Sequence, residues 1–295
     1  MPELPEVQTT VNGINGTLQG AVIVDVCHDW AKIFRDSSYA RVRKIVRGAT
    51  ITHASRRGKH ILIHFSNAHT LIVHMKMTGH LMVGTYKKIK TGFVPTDSQS
   101  PLADPFNRFI HVVFSLADGR SLVFCDARKF GKISIELTEK LSHSPLIAHL
   151  GPEPLDASTT VTLFKTQLLK KPKSKIKTVL LDQTIIAGIG NIYSDELLWL
   201  SKVHPESRVG NVPPTLFPIL FKNTQKVLHD GLKFGGDSTS DYRNIYGEAG
   251  VSHKHHKVYQ RRNKECLRRG CAGIIERKIV GARSAHFCSV CQVQY

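Results

Sequence analysis

This sequence predicts an α+β protein: an N-terminal helix plus an antiparallel β-sandwich, then a helical domain and a C-terminal four-cysteine finger. Three observations carry the prediction. Val7, Val11, Ile14 and Leu18 recur at helical spacing behind the opening "MPELPEV". From about residue 20 to 137, short β-branched runs separated by turn residues read as antiparallel strands: "AVIVDVC", "HILIHFS", "TLIVHM", "FIHVVFS" and "SLVFCD". Farther on the period turns helical, and the chain closes on two cysteine pairs.

Each element has a local reason. Prolines and acids in "PELPE" suit a first helical turn, where the missing N–H costs nothing and negative charge meets the helix dipole. The segment "KKIKTGFVPTDSQSPLADPFN" breaks the strand pattern with Pro, Ser, Gly and Asp and is expected to be a long surface loop. "HSPLIAHLGPEPLDAS" places a boundary near residues 150–160, giving expected domains at 1–150 and 151–255, with the cysteine-bearing tail, 256–295, as a third module. The helical part runs through "TVTLFKTQLLKK", "KIKTVLLDQ", "NIYSDELLWLSKV" and "PTLFPILFKNTQKVLHDGLKFG". Its second and third helices are joined by a tight connection containing Gly188 and Gly190, with Asn191 expected as N-cap. Backbone N–H groups at such a helix start can receive a phosphate, and the basic run "KKPKSKIK" just upstream favours that use.

Charge narrows the function classes. The 295 residues hold 41 Lys and Arg against 23 Asp and Glu, a net +18, and residues 251–295 alone carry 10 basic and 2 acidic side chains. The excess points to a polyanion partner. With no long apolar span and no basic amphipathic helix, nucleic acid ranks ahead of a membrane. The N-terminus lacks the features of a secretory signal, so a cytoplasmic protein is expected.

In the tail, Cys266 and Cys271 form a C-x4-C pair, sixteen residues follow, and Cys288 and Cys291 form a C-x2-C pair. Two such knuckles are the ligand set of one structural zinc ion. The intervening "GIIERKIVGARSAHF" suits a hairpin with Arg283 near its tip. Cys27 and Cys125 sit in apolar, strand-like runs and read as buried side chains.

"MPELPEV" leaves two readings open, a plain helix start or a chemical one. A small second residue generally permits removal of the initiator methionine, and Pro2 would then carry a secondary amine, with an α-amino pKa near ~8, beside Glu3. The rest of the chain decides. "PELPEV", "RRGKH", "HMKMTG", "DARKFG", "LGPEPL", "AGIGNIYSDE" and the terminal finger ending in "CQ" occur together and in order over essentially the full length. In these the sequence resembles the formamidopyrimidine-DNA glycosylases, bacterial enzymes of base-excision repair that excise oxidised purines and cut the strand.

The resemblance implies a catalytic β-sandwich domain, a helix-two-turn-helix DNA-binding domain and a zinc finger, and a monomer acting in the bacterial cytoplasm at the nucleoid. It implies duplex DNA with an oxidised base or abasic site as substrate, Pro2 as nucleophile, Glu3 as general acid and base, and Glu6 in support. Lys59 would lie beside the lesion. His74, Lys177, Asn191 and Arg283 would contact DNA near the site, and Met77, Arg128 and Phe130 would fill the gap left by the everted nucleotide. Zinc would be held by Cys266, Cys271, Cys288 and Cys291.

Two departures stand out: the first knuckle has two extra residues and lacks the usual Gly-x-Pro before it, and the 86–107 segment is long. "GGDSTSDYRNIYGEAG" occupies the place of the lesion-sensing loop, and its composition suits a mobile cover. Two rival readings remain: the related endonuclease VIII branch, which acts on oxidised pyrimidines, and a zinc protein that binds damaged DNA without cutting it.

Overall fold

The computed structural model describes all 295 residues, which fall into two compact units. The first comprises Met1–Ala148 and Leu232–His253, the second His149–Gly231 and Lys254–Tyr295. The division differs from the one read in sequence in two ways. Residues 232–253 belong to the first unit, and the cysteine-bearing tail shares the second unit with the helices.

The first unit opens with α1 (Leu4–Thr17), and the predicted stripe Val7, Val11, Ile14 and Leu18 is fully buried. The chain continues through β1 (Ile23–His28), α2 (Tyr39–Val46), β2 (Ile51–Arg57), β3 (His60–Phe65), β4 (His69–His74) and β5 (Gly79–Gly84). After the short β6 (Tyr86–Ile89) and β7 (Gly92–Pro95) come β8 (Ile110–Leu116), β9 (Ser121–Asp126) and β10 (Lys132–Leu137). Two antiparallel four-stranded sheets form, in the orders β1-β8-β9-β5 and β10-β4-β3-β2. Ile61, Ile63, Leu71 and Val73 of one sheet share a core with Val112, Phe114, Leu122 and Phe124 of the other. This is the face-to-face packing of a sandwich, with side chains alternating between its faces.

The expected surface loop after β5 is a structured cover. β6 and β7 form a hairpin, and Tyr86, Phe93, Leu102 and Phe109 pack on a second apolar cluster of Met82, Ile110, Val113, Val123 and Cys125. That cluster is the outward face of β5, β8 and β9. Strands apolar on both faces need a cover on each side, and the inserted segment supplies the outer one. The helix α2, absent from the sequence reading, starts at Ser38, whose hydroxyl accepts from Arg41 N, and buries only Val42 and Val46. So narrow a stripe escapes a search for periodicity.

The second unit holds α3 (Val161–Leu169), α4 (Ile176–Leu181), α5 (Asn191–Leu200) and α6 (Leu216–Lys233), whose last two residues pass into the first unit. Then come the antiparallel strands β11 (Ile275–Val280) and β12 (Arg283–Cys288). No helix is long and apolar enough to cross a membrane.

A buried histidine on β3 gives a pH test of this packing. The two ring nitrogens of His64 each lie 2.8 Å from a hydroxyl, that of Ser55 and that of Thr70, and His53 stacks on the ring at 4.2 Å. Burial, and then the neighbouring His53, lowers its pKa from 6.5 to about 4. Burial also pushes His74, His80 and His204 down. These rings are neutral when folded and take up protons when unfolded. Their stabilisation is therefore complete above pH 6.5 and is lost as pH falls below it, for His64 down to about 4, by at most about 1.4 kcal/mol per pH unit for each ring. Denaturant titrations between pH 7 and 4 should record this loss, and His64→Asn should lessen its slope by one ring's share.

Candidate active site and metal centre

One end of the sandwich collects most of the residues singled out in the first unit. β2 turns into β3 at Gly58 and Lys59, so His60 opens β3 opposite His74, the last residue of β4. His74 also pairs with Lys132 at the start of β10. In the other sheet, Gly79 at the start of β5 pairs with Asp126 at the end of β9. Lys59, His74 and the turns 75–78 and 127–131 are thus brought together. α1 lies along β2, with Asn15 bonded to Ala54 and Gln8 to Arg56, so its N-terminus points to the same end.

Pro2 and Glu3 are held there by the start of α1. Glu3 is the N-cap, and its backbone N–H donates to Glu6 Oε2 at 2.7 Å, one half of a capping box. Glu6 is itself buried, and its Oε1 accepts from Asp237 N at 2.7 Å. Pro2, Glu3 and Lys59 are all buried.

Cations crowd this end. Burial first, and then the charges of His60, Lys76, Lys59 and Lys132, pushes His74 well below the usual histidine value. Burial and then Lys132 also lower Lys76. Lys76 N donates to His74 Nδ1 at 3.0 Å, which assigns the ring proton to Nε2. His74 thus offers a neutral N–H donor amid lysines whose mutual repulsion an anion would relieve.

The two turns carry the predicted gap-filling residues. Met77 is half-buried, Arg128 is exposed, and Phe130 stands 49% exposed with the Arg128 guanidinium 4.8 Å from its ring centre.

The 235–250 segment, expected to be a mobile cover, is anchored along its length. Tyr242 OH donates to Glu6 O at 3.0 Å, and Ile245 is fully buried in the main core. The inserted segment braces it further. Asp104 receives Arg243 Nε at 3.1 Å, Phe106 lies under the same guanidinium at 4.5 Å, and Asn107 Nδ2 donates to Gly247 O at 3.1 Å. Sequence gave no sign of this brace because Asp104 and Arg243 lie far apart in the chain.

In the second unit the connection between α4 and α5 is held by Gln183. Its Nε2 donates to Leu181 O and Ile189 O, and its Oε1 accepts from Gly188 N, where φ is +89°. The N-cap of α5 is Gly190, so Asn191 is the first helical residue rather than the cap, and its Oδ1 has no partner within the protein. Lys177, expected to contact DNA, is completely buried. Its ammonium is paired with Asp195 and donates to Ser194 Oγ, and Asp195 Oδ2 also accepts from His286 N and lies 3.0 Å from His286 Nδ1. Lys177 therefore ties α4 and α5 to β12. Arg283 is exposed and follows the hairpin tip, where Gly281 and Ala282 both have positive φ as a tight two-residue turn requires.

The four cysteines of the tail form one cluster, with all four Sγ atoms within 4.8 Å of one another. Cys266 and Cys291 are 3.8 Å apart and Cys271 and Cys288 3.6 Å, close to the edge of a tetrahedron with metal–sulfur bonds of about 2.3 Å. Donors face the sulfurs: Trp199 Nε1 to Cys266 and Arg268 Nε to Cys291, each at 3.3 Å. Arg268, in the widened first knuckle, also packs its guanidinium 4.5 Å from the Trp199 ring centre and bonds to Trp199 O. The extra length thus fastens the knuckle to α5 and leaves the hairpin intact.

Comparison with known proteins gives one family throughout. The formamidopyrimidine-DNA glycosylase N-terminal domain matches residues 1–133, and the H2TH domain of the same enzymes matches 150–243. The formamidopyrimidine-DNA glycosylase of Herpetosiphon aurantiacus is 37% identical over 99% of this chain and 100% of its own. The Lactococcus lactis Fpg bound to abasic-site DNA superposes with a TM-score of 0.86 at 29% identity, covering 99% of this chain and 100% of its own. A variant of that protein bound to Fapy-dG DNA gives 0.87 at 30%, with the same coverage.

The brace on the 235–250 segment can be tested directly. Asp104→Ala leaves the buried Arg243 guanidinium without its carboxylate, a local loss of roughly 1–3 kcal/mol. Tryptic cleavage after Arg243 should accelerate while global unfolding changes little. An unaltered cleavage rate would mean that Tyr242 and Ile245 hold the segment alone.

Proposed function

Since this chain belongs to the formamidopyrimidine-DNA glycosylase family, we propose that it is a bifunctional DNA glycosylase and AP lyase. It removes oxidised purines, 8-oxoguanine and formamidopyrimidines, from duplex DNA and cuts the strand by β,δ-elimination. One observation carries the reading: "PELPEV" sets Pro2 and Glu3 at the start of α1, at the sandwich end that also bears Lys59, His74, Met77, Arg128 and Phe130.

With Met1 removed, the Pro2 nitrogen attacks C1′ of the damaged nucleotide; the bond to the base breaks, the base leaves with a proton, and the proline nitrogen gives up its N–H proton. Glu3 protonates the sugar ring oxygen, and the opened sugar stays linked to Pro2 as an iminium ion. With its one N–H proton gone, a secondary amine can form only a cationic iminium and never a neutral imine, and this cation acidifies C2′. Glu3, as base, then takes the C2′ proton and the 3′ phosphate leaves. A second elimination releases the 5′ phosphate, and hydrolysis returns free Pro2. Covalent catalysis divides one hard displacement into easier steps.

The nucleotide must first leave the helix, at a cost of roughly a few kcal/mol. Met77 and Phe130 enter the gap, and Arg128 offers donors to the orphaned base. His74 Nε2–H, Lys59, Asn191 at the start of α5 and Arg283 at the hairpin tip bind backbone phosphates, contacts that position the duplex without reading its sequence. Lys177 is a structural cation in this scheme, because its ammonium is enclosed with Asp195.

The metal is zinc, held by Cys266, Cys271, Cys288 and Cys291. Its chemistry is structural: four thiolates and one ion close the finger that carries Arg283. Elemental analysis should give one zinc per chain. Stripping the metal should unfold the finger and weaken duplex binding, read by near-ultraviolet circular dichroism and by titration with a labelled duplex.

Borohydride trapping on a duplex with one 8-oxoguanine opposite cytosine tests the reaction. A covalent adduct through residue 2 is expected from the processed protein, reduced in Pro2→Gly and absent when Met1 is retained. No adduct from processed, zinc-loaded protein would reject the mechanism. The profile of released bases separates purine from pyrimidine preference.

A further inference from the structure

Asp126 is fully buried at the end of β9, and its carboxylate links the backbone of the turn that follows to Thr78 in the turn before β5. Oδ1 accepts from Thr78 Oγ1 and, at 3.2 Å, from Arg128 N; Oδ2 accepts from Phe130 N at 2.8 Å and Gly131 N at 2.7 Å. Thr78 Oγ1 closes the network by accepting from Arg128 N at 3.1 Å. Each turn contains a lysine in the left-handed region, Lys76 and Lys129, both at φ +56°. A lysine gains nothing intrinsic from that conformation, so tertiary bonds must hold it. Behind the network the packing is tight: a Cβ on Gly79 or Gly131 would come within 2.7 or 2.4 Å of the Phe124 ring.

We propose that Asp126 is a positioning residue that locks the turns bearing Met77, Arg128 and Phe130 into a single rigid wedge, so that eversion of a paired nucleotide depends on it. The proposal rests on the reading given under Proposed function. Fully buried, Asp126 presents no surface to a duplex. It acts through the backbone N–H groups of Arg128 and Phe130 and through the hydroxyl of Thr78, the residue after Met77. A wedge has to stay rigid while base pairs press on it. Two turns free to move separately would yield, and the gap would close before attack at C1′.

The distinction is between paired and already unstacked substrates. Asp126→Asn replaces one acceptor oxygen with an NH2 that faces N–H donors whichever way the amide turns. Single-turnover excision of 8-oxoguanine opposite cytosine is expected to fall roughly tenfold to a hundredfold, the scale of losing a strong hydrogen bond. Cleavage at an abasic site in an unpaired bulge, where nothing has to be displaced, should fall far less, and duplex affinity should stay close to that of wild type. Thr78→Val should repeat this split, and Thr78→Ser, which keeps the hydroxyl, should restore paired-lesion excision. Melting temperatures accompany each variant, and if Asp126→Asn fails to fold the Thr78 pair carries the test. Equal losses on both substrates, or no loss on the paired lesion, overturn the proposal while leaving the glycosylase reading intact. If wild type cuts neither substrate, that reading falls and this one with it.

Discussion

The segments that matter for function have little regular structure, so their backbone N–H groups must find partners outside helices and sheets. An N–H left buried and unpaired is too costly to tolerate. Buried carboxylates are the recurring answer. Glu6 receives the N–H groups of Glu3 and Asp237, and Asp126 those of Arg128, Phe130 and Gly131. Glu196 receives Lys257, Val258 and Tyr259, and Asp195 receives His286. In a chain of net +18, several of the few acids are thereby withdrawn from the surface. Interior anchors and an outward positive field are two aspects of one distribution of charge.

Local patterns were legible in the sequence. The stripe of α1, the apolar strands, the hairpin before Arg283 and the cysteine knuckles each depend on residues within a few positions of one another. What escaped was set by distant partners. Lys177 was expected to contact DNA, because its partner, Asp195, lies a helix away and their pairing leaves no local sign. "DARKFG" drew notice to Arg128 and Phe130, while the Asp126 that holds them offered only a short acidic side chain. The 86–107 segment had loop composition, yet its few aromatic and apolar residues cover the outward face of β5, β8 and β9. Asn191 was one residue off as a cap because Gly190, with extended backbone angles, already starts the helix.

The widened first knuckle shows how a departure from a familiar spacing is absorbed. Cys266 and Cys271 still reach the other pair, because Gly273 lets the chain pass close to Cys288, where a Cβ would stand 2.4 Å from its sulfur. Arg268, on the added turn, donates to Cys291 and lies on Trp199. A cation beside a cluster of thiolates offsets their negative charge, so the longer loop brings its own compensation.

The first unit is discontinuous in sequence, and this governs the order in which it can be built. Ile245 sits where a Cβ on Gly13 would be 2.3 Å away, and Asp237 and Tyr242 bond to Glu6. A nascent chain that has emerged only to residue 148 contains every strand of both sheets but lacks these partners of α1. The helix that will carry Pro2 reaches its final setting only after residue 253 has left the ribosome. By then nearly the whole protein has been synthesised, so the position of the first residues is fixed almost last.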